Sequence, residues 1–254
     1  MALLAILIGM GVGLLVGFLG IGGGIALVPA LTLLLGFGQH TAQGTSLFMQ
    51  LPPLGLGALL LYWRKGLVDR WAGVACALGI FVGGYFGSRA AIGIGPEELK
   101  GLFGIFLLAA AVLLWRPPAR DELKPVVPEN QTRLAQVFVL ACGIGVLSGL
   151  FGVGGGVLLV PLLVLGLGFE QHIAQGTSLV ALVPPTGLLA FLNYARAGEV
   201  DWKVGLLIMP GIFLGGLAGG RIALRLPSGE MRRVFAFLLL PIAASQVIAA
   251  LLHR

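Results

Sequence analysis

The sequence predicts an all-α polytopic membrane protein built from two homologous repeats. Apolar residues make up 58% of the 254 residues and charged residues only 10%, with a mean hydropathy of +1.03. A soluble domain carries about a quarter charged residues, so this chain cannot cover a water-facing surface. Continuous apolar runs such as 102–115 and 204–217 suit membrane helices of about 20 residues. The same motifs also recur at a fixed offset along nearly the whole chain.

The duplication relates motifs that lie 132 residues apart, with no gap between the aligned blocks. They are "QHTAQGTSL" at 39–47 and "QHIAQGTSL" at 171–179, "GIGGGIALVPAL" at 20–31 and "GVGGGVLLVPLL" at 152–163, and double prolines at 52–53 and 184–185. We therefore expect a first transmembrane repeat at 1–115 and a second at 134–254. The polar, proline-rich segment 116–133 is expected to be a linker exposed to water.

Each repeat divides into five apolar elements, which predicts about eight to ten membrane helices with some of them short and broken. In the first repeat the elements are 2–16, 25–35, 46–63, 71–91 and 99–115. A glycine-rich break at 17–24 separates the first two elements, and the double proline is expected to kink the third.

The number of membrane crossings per repeat decides whether the second repeat is inverted. Inverted repeats place eleven Lys and Arg residues on one side and five on the other, whereas parallel repeats give ten and six. The positive-inside rule therefore prefers inverted repeats and places the linker in the cytoplasm. This topology also explains the net charge of +6, so a nucleic-acid partner is not expected.

The glycine break allows two interpretations. It is a packing face where backbones touch, or an unwound segment whose backbone N–H groups face an anion. Lipid tolerates irregular backbone only inside protein or along a wet cavity, so both interpretations bury the break. A nucleotide-binding loop is not expected, because no strand precedes the glycines and no Lys-Ser/Thr follows them.

The phrase "AQGTSL" predicts a helix start, at which Thr45 or Ser46 caps the helix and Gly44 permits the turn. A helix N-terminus suits an anion. Two such starts, brought together by the repeats, would face one small site, to which Gln43 adds an amide. Capping alone is the rival explanation for the hydroxyls, and an interfacial loop is the rival for His40.

Glycines at four-residue spacing, 79, 83 and 87 and again 211, 215 and 219, predict close helix crossings. The arginines that follow, Arg89 and Arg221, are either anion clamps or residues that extend to the membrane surface. Two corresponding sets of residues are expected in loops with local ion pairs: Tyr62, Arg64 and Asp69, and Tyr194, Arg196 and Asp201. A proton-coupling role for Asp69 or Asp201 is the weaker alternative.

The absence of a carboxylate inside any apolar run favours an anion over a cation as cargo. No HExxH motif, serine elbow or metal-ligand cluster is present in the sequence, so an enzyme, a metal site and a cofactor are not expected.

The blocks "GFLGIGGGIALVPAL" and "GLFGVGGGVLLVPLL", together with "AQGTSL", resemble the TauE/SafE sulfite exporter family, also called the toluene sulfonate uptake permease family. The resemblance covers essentially the whole chain. It implies a multi-pass transporter in the cell membrane, of the prokaryotic inner-membrane type, whose substrates are small sulfur oxyanions or organosulfonates such as sulfite and sulfoacetate.

We therefore expect a secondary transporter that exports a small sulfur-containing anion by alternating access, with the lipid bilayer as its solvent. A passive anion channel is the alternative, and the sequence is compatible with a homo-oligomer. The candidate substrate-binding residues are Gly22, Gly23, Gly24, Gln43, Gly44, Thr45, Ser46, Gly154, Gly155, Gly156, Gln175, Gly176, Thr177 and Ser178, and the candidate clamp or gating residues are His40, His172, Arg89 and Arg221.

Overall fold

A computed structural model describes residues 2–19, 24–52, 56–115, 131–169, 171–183 and 185–223, and residues 237, 240, 241, 243–246 and 248. Within these residues the chain is helical and no strand occurs. Eleven helices are described in full: α1 (Ala2–Leu19), α2 (Gly24–Leu35), α3 (Gln39–Met49), α4 (Leu56–Arg64), α5 (Arg70–Ile92), α6 (Pro96–Trp115), α7 (Gln131–Phe151), α8 (Gly156–Leu167), α9 (Gln171–Leu182), α10 (Leu188–Arg196) and α11 (Trp202–Ala223). The all-α prediction is confirmed.

The prediction that the third apolar element, 46–63, forms a single kinked helix is wrong. Two helices stand in its place, because α3 ends at Met49 and α4 begins only at Leu56, with the double proline between them. Proline lacks the N–H that continues a helix, and it disfavours the helical conformation in the residue before it. Most of the predicted linker 116–133 lies outside the described residues, and 131–133 belong to α7.

Glycines of α5 bring its backbone against that of α7. A Cβ atom added at Gly79 would lie 2.6 Å from Phe138 O, and added Cβ atoms at Gly83 and Gly87 would collide with Cys142 O and Val146 O. The residue numbers rise together along both helices, so α5 and α7 run parallel. The predicted crossing by glycines at four-residue spacing is confirmed here.

The same packing joins α1 to α11. Added Cβ atoms at Gly211 and Gly215 would collide with Ile6 O and Met10 O. These contacts reproduce the α5–α7 contacts at the offset of 132 residues. The first helix of each repeat therefore packs against the glycine face of the other repeat. Gly219 falls among residues whose side chains are not described.

The outward faces of the long helices are apolar. On α5, Trp71, Val74, Leu78 and Phe86 are exposed at helical spacing, and Ile105 is exposed on α6. A contiguous apolar surface of this kind is unfavourable in water and suits lipid. Among the described residues, α5 (Arg70–Ile92) and the part of α7 from Arg133 to Phe151 are long and apolar enough to cross a membrane.

We expect Gly83→Ala to lower the stability of the folded protein by about 1–3 kcal/mol, because a methyl group has no space against the α7 backbone. Gly143→Ala is the matched control, since nothing lies within 4 Å of a Cβ atom added at that exposed position of α7. Thermal melting of detergent-purified protein measures the difference. Equal melting temperatures for the two variants would contradict the proposed contact.

Candidate functional site

The second glycine break separates α7 from α8 by backbone that only glycine adopts readily. Gly152, Gly154 and Gly155 have φ angles of 68°, 76° and 72°, in the left-handed region that disfavours residues with a Cβ atom. Helix α8 then begins at Gly156 with no side-chain cap. The break itself is therefore confirmed, and it leaves N–H groups of the first turn of α8 without helix partners.

The first glycine break is described only at its end. Gly22 and Gly23 lie outside the described residues, and α2 begins at Gly24. An added Cβ atom at Gly24 would collide with the backbone of Val153. The start of α2 in one repeat thus touches the break of the other repeat, which brings the beginnings of α2 and α8 into one region.

Helix α3 of the first repeat holds the break of the second repeat in place. Ser46 Oγ donates a hydrogen bond of 2.9 Å to Gly152 O, and Gln50 Nε2 donates one of 3.3 Å to the same oxygen. The Cα atom of Gln43 packs against Gly152 so closely that an added Cβ atom there would lie 2.7 Å away. Sequence reasoning missed Gln50, whose counterpart at position 182 is a leucine.

The prediction that "AQGTSL" starts a helix is wrong. Helix α3 begins at Gln39 and α9 begins at Gln171, so the phrase lies inside each helix. The cap position of α3 is Gly38, without a side-chain cap. The helix N-termini that meet near the glycine breaks are instead those of α2 and α8.

The threonines of the phrase bind the opposite repeat. Thr45 Oγ1 accepts a hydrogen bond of 2.9 Å from Asp201 N, and Thr177 Oγ1 accepts one of 3.0 Å from Asp69 N. Each aspartate in turn caps its own helix, because its Oδ1 accepts from the backbone N–H three residues on, at 2.9 Å. The two aspartates are N-caps of α5 and α11, which corrects the prediction of loop ion pairs.

The glycines of the phrase let the same loops approach. An added Cβ atom at Gly44 would collide with Glu199 O, and one at Gly176 would collide with Leu67 O. These contacts again repeat at the offset of 132 residues. Glycine occupies positions 44 and 176, inside α3 and α9, because a side chain at either position would block the close packing between the two halves.

The amide of Gln43 is buried beside the break and only half satisfied. Tyr194 Oη lies 2.9 Å from Gln43 Oε1 and also contacts Gly149 O and Leu150 O, at 3.1 and 3.3 Å. Gln43 and Tyr194 are both 0% exposed. Within the described part of the chain, the Nε2 group of Gln43 has no hydrogen-bond partner, and an unmade hydrogen bond on a buried polar group costs about 1–3 kcal/mol.

Tyr194 is a site residue that sequence reasoning placed in a loop. It lies in α10, and its one hydroxyl proton is shared between Gln43 Oε1 and two carbonyl oxygens at the end of α7, Gly149 O and Leu150 O, which the helix leaves without partners. The signal that could have found it is its recurrence, since Tyr62 occupies the same place in the first repeat. The side chain of Gln175 is not described, so only the Gln43 half of the predicted pair can be placed.

The side chains of the candidate clamp residues are described in the first repeat only. His40 Nε2 lies 2.9 Å from Ala91 O, at the carboxyl end of α5. Arg89 is exposed in the last turn of α5. The side chains of His172 and Arg221 are not described. Ser178, like Ser46, is buried.

An apolar cavity of about 260 Å³ lies where α3 ends, between that helix and α11. Its lining residues are Met49, Pro52, Met209, Pro210, Ile212 and Phe213. This lining offers little to bind an anion. The polar atoms of the candidate site instead lie one to two turns earlier in α3, where the chain is closed around them.

Comparisons with known proteins agree with the sequence resemblance. Residues 2–245 match the family described as "Sulfite exporter TauE/SafE". The chain belongs to the TauE/SafE family. A "probable membrane transporter protein" of Xylella fastidiosa is 33% identical over 248 residues, covering 94% of this chain and 93% of that protein. The TauE/SafE chain described above is therefore a membrane protein of a transporter family.

More distant relatives of this TauE/SafE protein carry the same description. One from Methanocaldococcus jannaschii is 29% identical, covering 82% of this chain and 78% of its own. YunE of Bacillus subtilis is 27% identical, with 85% and 86% covered. No solved structure matches the chain.

We expect Thr45→Val and Thr177→Val to destabilise the TauE/SafE protein by similar amounts, about 1 kcal/mol each, because each removes one hydrogen bond between the repeats. Thr45→Ser and Thr177→Ser keep the hydroxyl and should restore most of the loss. Thermal melting of the four variants in one detergent measures this. A loss at one position only would show that the two contacts are not equivalent.

Proposed function

We propose that this protein is a secondary transporter that exports a small sulfur-containing anion, such as sulfite or an organosulfonate, by alternating access. The proposal places it in the cell membrane as a multi-pass protein of the prokaryotic inner-membrane type. The observation that carries the anion assignment is the buried Nε2 group of Gln43, which has no hydrogen-bond partner among the described residues and lies beside a glycine break.

The chemistry around the break supports an anionic ligand. Helix α8 begins at the break without a side-chain cap, and the N-terminus of a helix carries partial positive charge and free N–H donors. The start of α2 lies against the same segment. In the part of the chain that is described, the carboxylates lie in loops, at helix caps or in the first turn of α6. A sulfonate or sulfite oxygen would accept the hydrogen bond that Gln43 Nε2 does not make to any described residue.

The directions of the helices support inverted repeats over parallel ones. The last turn of α5, at Ala91, lies beside His40 at the start of α3. Helix α11 starts beside Thr45 and then follows α3, because an added Cβ atom at Gly205 would lie 2.7 Å from the ring of Phe48. The carboxyl end of α5 and the amino end of its counterpart α11 thus both lie beside α3, as expected if the two helices run in opposite directions. An inverted repeat is a common architecture of secondary transporters.

The described conformation is closed around the candidate site. Gln43, Thr45 and Ser46 are all fully buried. A closed site favours a transporter over a passive channel, since a channel needs a continuous path. In alternating access, the two reciprocal threonine contacts would open in turn, each releasing one side of the site. Counterflow between labelled and unlabelled anion in liposomes separates the two mechanisms, because a channel gives current without counterflow.

We expect Gln43→Ala to weaken binding of the transported anion by about tenfold or more, because one buried hydrogen bond to a charged group contributes about 1.5–3 kcal/mol. Gln175→Ala should have a similar effect if the second repeat contributes equally. Gln136→Ala is the matched control, since Gln136 is exposed on α7. Titration calorimetry in detergent measures the affinity.

The ligand for that titration is chosen by a thermal-shift screen of sulfite, sulfoacetate, thiosulfate, sulfate and taurine. A ligand that binds the folded state raises its melting temperature. Unchanged affinity in both glutamine variants, with protein that elutes as the wild type does, would contradict the site assignment. No shift with any of the five would contradict the substrate class.

A further inference from the structure

A second glutamine of α3 is buried without a hydrogen-bond partner among the described residues. Gln39 is 1% exposed, and neither its Nε2 group nor its Oε1 atom has a partner there. A glutamine amide donates through Nε2 and accepts through Oε1, and burying it with neither bond made is unfavourable. Native proteins leave few buried polar groups unsatisfied, so this amide marks a place where a ligand or a water molecule can bind.

Gln39 lies on the same face of α3 as the candidate anion site. Four polar residues follow one another on this face at spacings of four, three and four residues: Gln39, Gln43, Ser46 and Gln50. The last three contact the second glycine break, because Ser46 and Gln50 donate to Gly152 O and Gln43 packs against Gly152. Gln39 therefore lies one helical turn before Gln43, with about 5–6 Å between their Cβ atoms.

The start of α3 provides further donors beside Gln39. The helix begins at this residue, and its cap position, Gly38, has no side chain to bind the first N–H groups. The first turn of a helix leaves N–H groups without helix partners and carries partial positive charge. Gln39 thus combines a buried side-chain amide with a helix start that favours an anion.

The unmet atoms of the two amides define the ligand that fits them. The Nε2 groups of Gln43 and Gln39 both require an acceptor, which the oxygens of a sulfonate supply. Gln39 Oε1 requires a donor, and an ionised sulfonate group has none. The amide of Gln43 differs, since its Oε1 already accepts from Tyr194 Oη. The donor must therefore come from another part of the ligand.

We propose that Gln39 is a specificity-determining residue that selects sulfonates carrying an O–H or N–H group. The inference rests on the proposed transport function and narrows its substrate class. The sulfonate accepts hydrogen bonds from the Nε2 groups of Gln43 and Gln39, and the hydroxyl or ammonium group of the same ligand donates to Gln39 Oε1. Hydroxyalkyl and aminoalkyl sulfonates carry both groups.

The first test compares three sulfonates of similar size by titration calorimetry in detergent: 2-hydroxyethanesulfonate, 2-aminoethanesulfonate (taurine) and propane-1-sulfonate. The first two carry a donor where the third carries a methyl group. Wild-type protein is expected to bind at least one donor-bearing sulfonate about tenfold more tightly than propane-1-sulfonate, because the apolar analogue leaves Gln39 Oε1 unmet. The tighter of the two distinguishes a hydroxyl from an ammonium ligand. Propane-1-sulfonate binding as tightly as both would overturn the proposal.

Gln39→Met separates ligand recognition from a structural role. Methionine has a similar length, and the change removes both unmet atoms without leaving a described partner unpaired. The variant is therefore expected to melt at or above the wild-type temperature and to lose the preference for donor-bearing sulfonates. The ratio of affinities isolates Oε1, because the loss of Nε2 weakens all three sulfonates alike.

Gln50→Met is the matched contrast on the same face of α3. Gln50 Nε2 donates to Ser46 O and Ser46 Oγ, both at 3.0 Å, and to Gly152 O. The same substitution there removes made hydrogen bonds, so this variant is expected to melt at a lower temperature than the wild type.

An unchanged preference in Gln39→Met would overturn the proposal, because water alone would then complete the amide. If that variant does not fold, Gln39→Asn, which withdraws the amide by one carbon, takes its place and an unchanged preference has the same meaning. Wild-type protein that binds no sulfur anion would overturn the proposed function itself. Wild-type protein that binds these anions without preferring a donor would overturn only the role of Gln39.

Discussion

The rest of the structure depends on the direct backbone contact between a glycine face and the first helix of the opposite repeat. Gly83 and Gly87 place α5 on carbonyl groups of α7, and Gly211 and Gly215 do the same for α11 on α1. In lipid, helices gain little from burying apolar side chains, so close backbone packing supplies much of the association. Because each contact joins the two repeats, the halves cannot separate without losing it. In the proposed alternating access, the motion between inward and outward states would therefore pivot around these pairs or slide along them.

The sequence could predict the features that depend on the local backbone properties of glycine and proline. Glycines at four-residue spacing in an apolar helix predict a close crossing, and α5 and α7 form one. Consecutive glycines predict a break, and Gly154 and Gly155 adopt the left-handed backbone that such a break requires. The double proline predicts an interruption, although two separate helices replace one kinked helix. Local chemistry decides each of these features, so no partner needs to be known.

The features that the sequence could not predict depend on which loop lies against which helix. Gly44 suggested a turn, yet it lies inside α3. The residue is glycine because a side chain there would collide with Glu199 O. Thr45 suggested a cap for its own helix, yet it binds Asp201 N in the other repeat. Tyr194 was assigned to a loop, yet it is buried against Gln43. Each case requires a contact over more than a hundred residues, which a local pattern does not carry.

Repetition and its exceptions carry different information in this chain. Where the halves agree, as in the two threonine–aspartate contacts, the residues build the shared frame. Where two contacting residues of one half are both replaced in the other half, the backbone packing is the same and only one half has the polar contact. Asn193 Nδ2 donates to Ser88 Oγ at 2.9 Å, and its counterpart in the first half is Leu61. A pair that is polar on one side and replaced on the other cannot be required by the fold. Such pairs make the two halves chemically different at places where the shared contacts alone leave them alike.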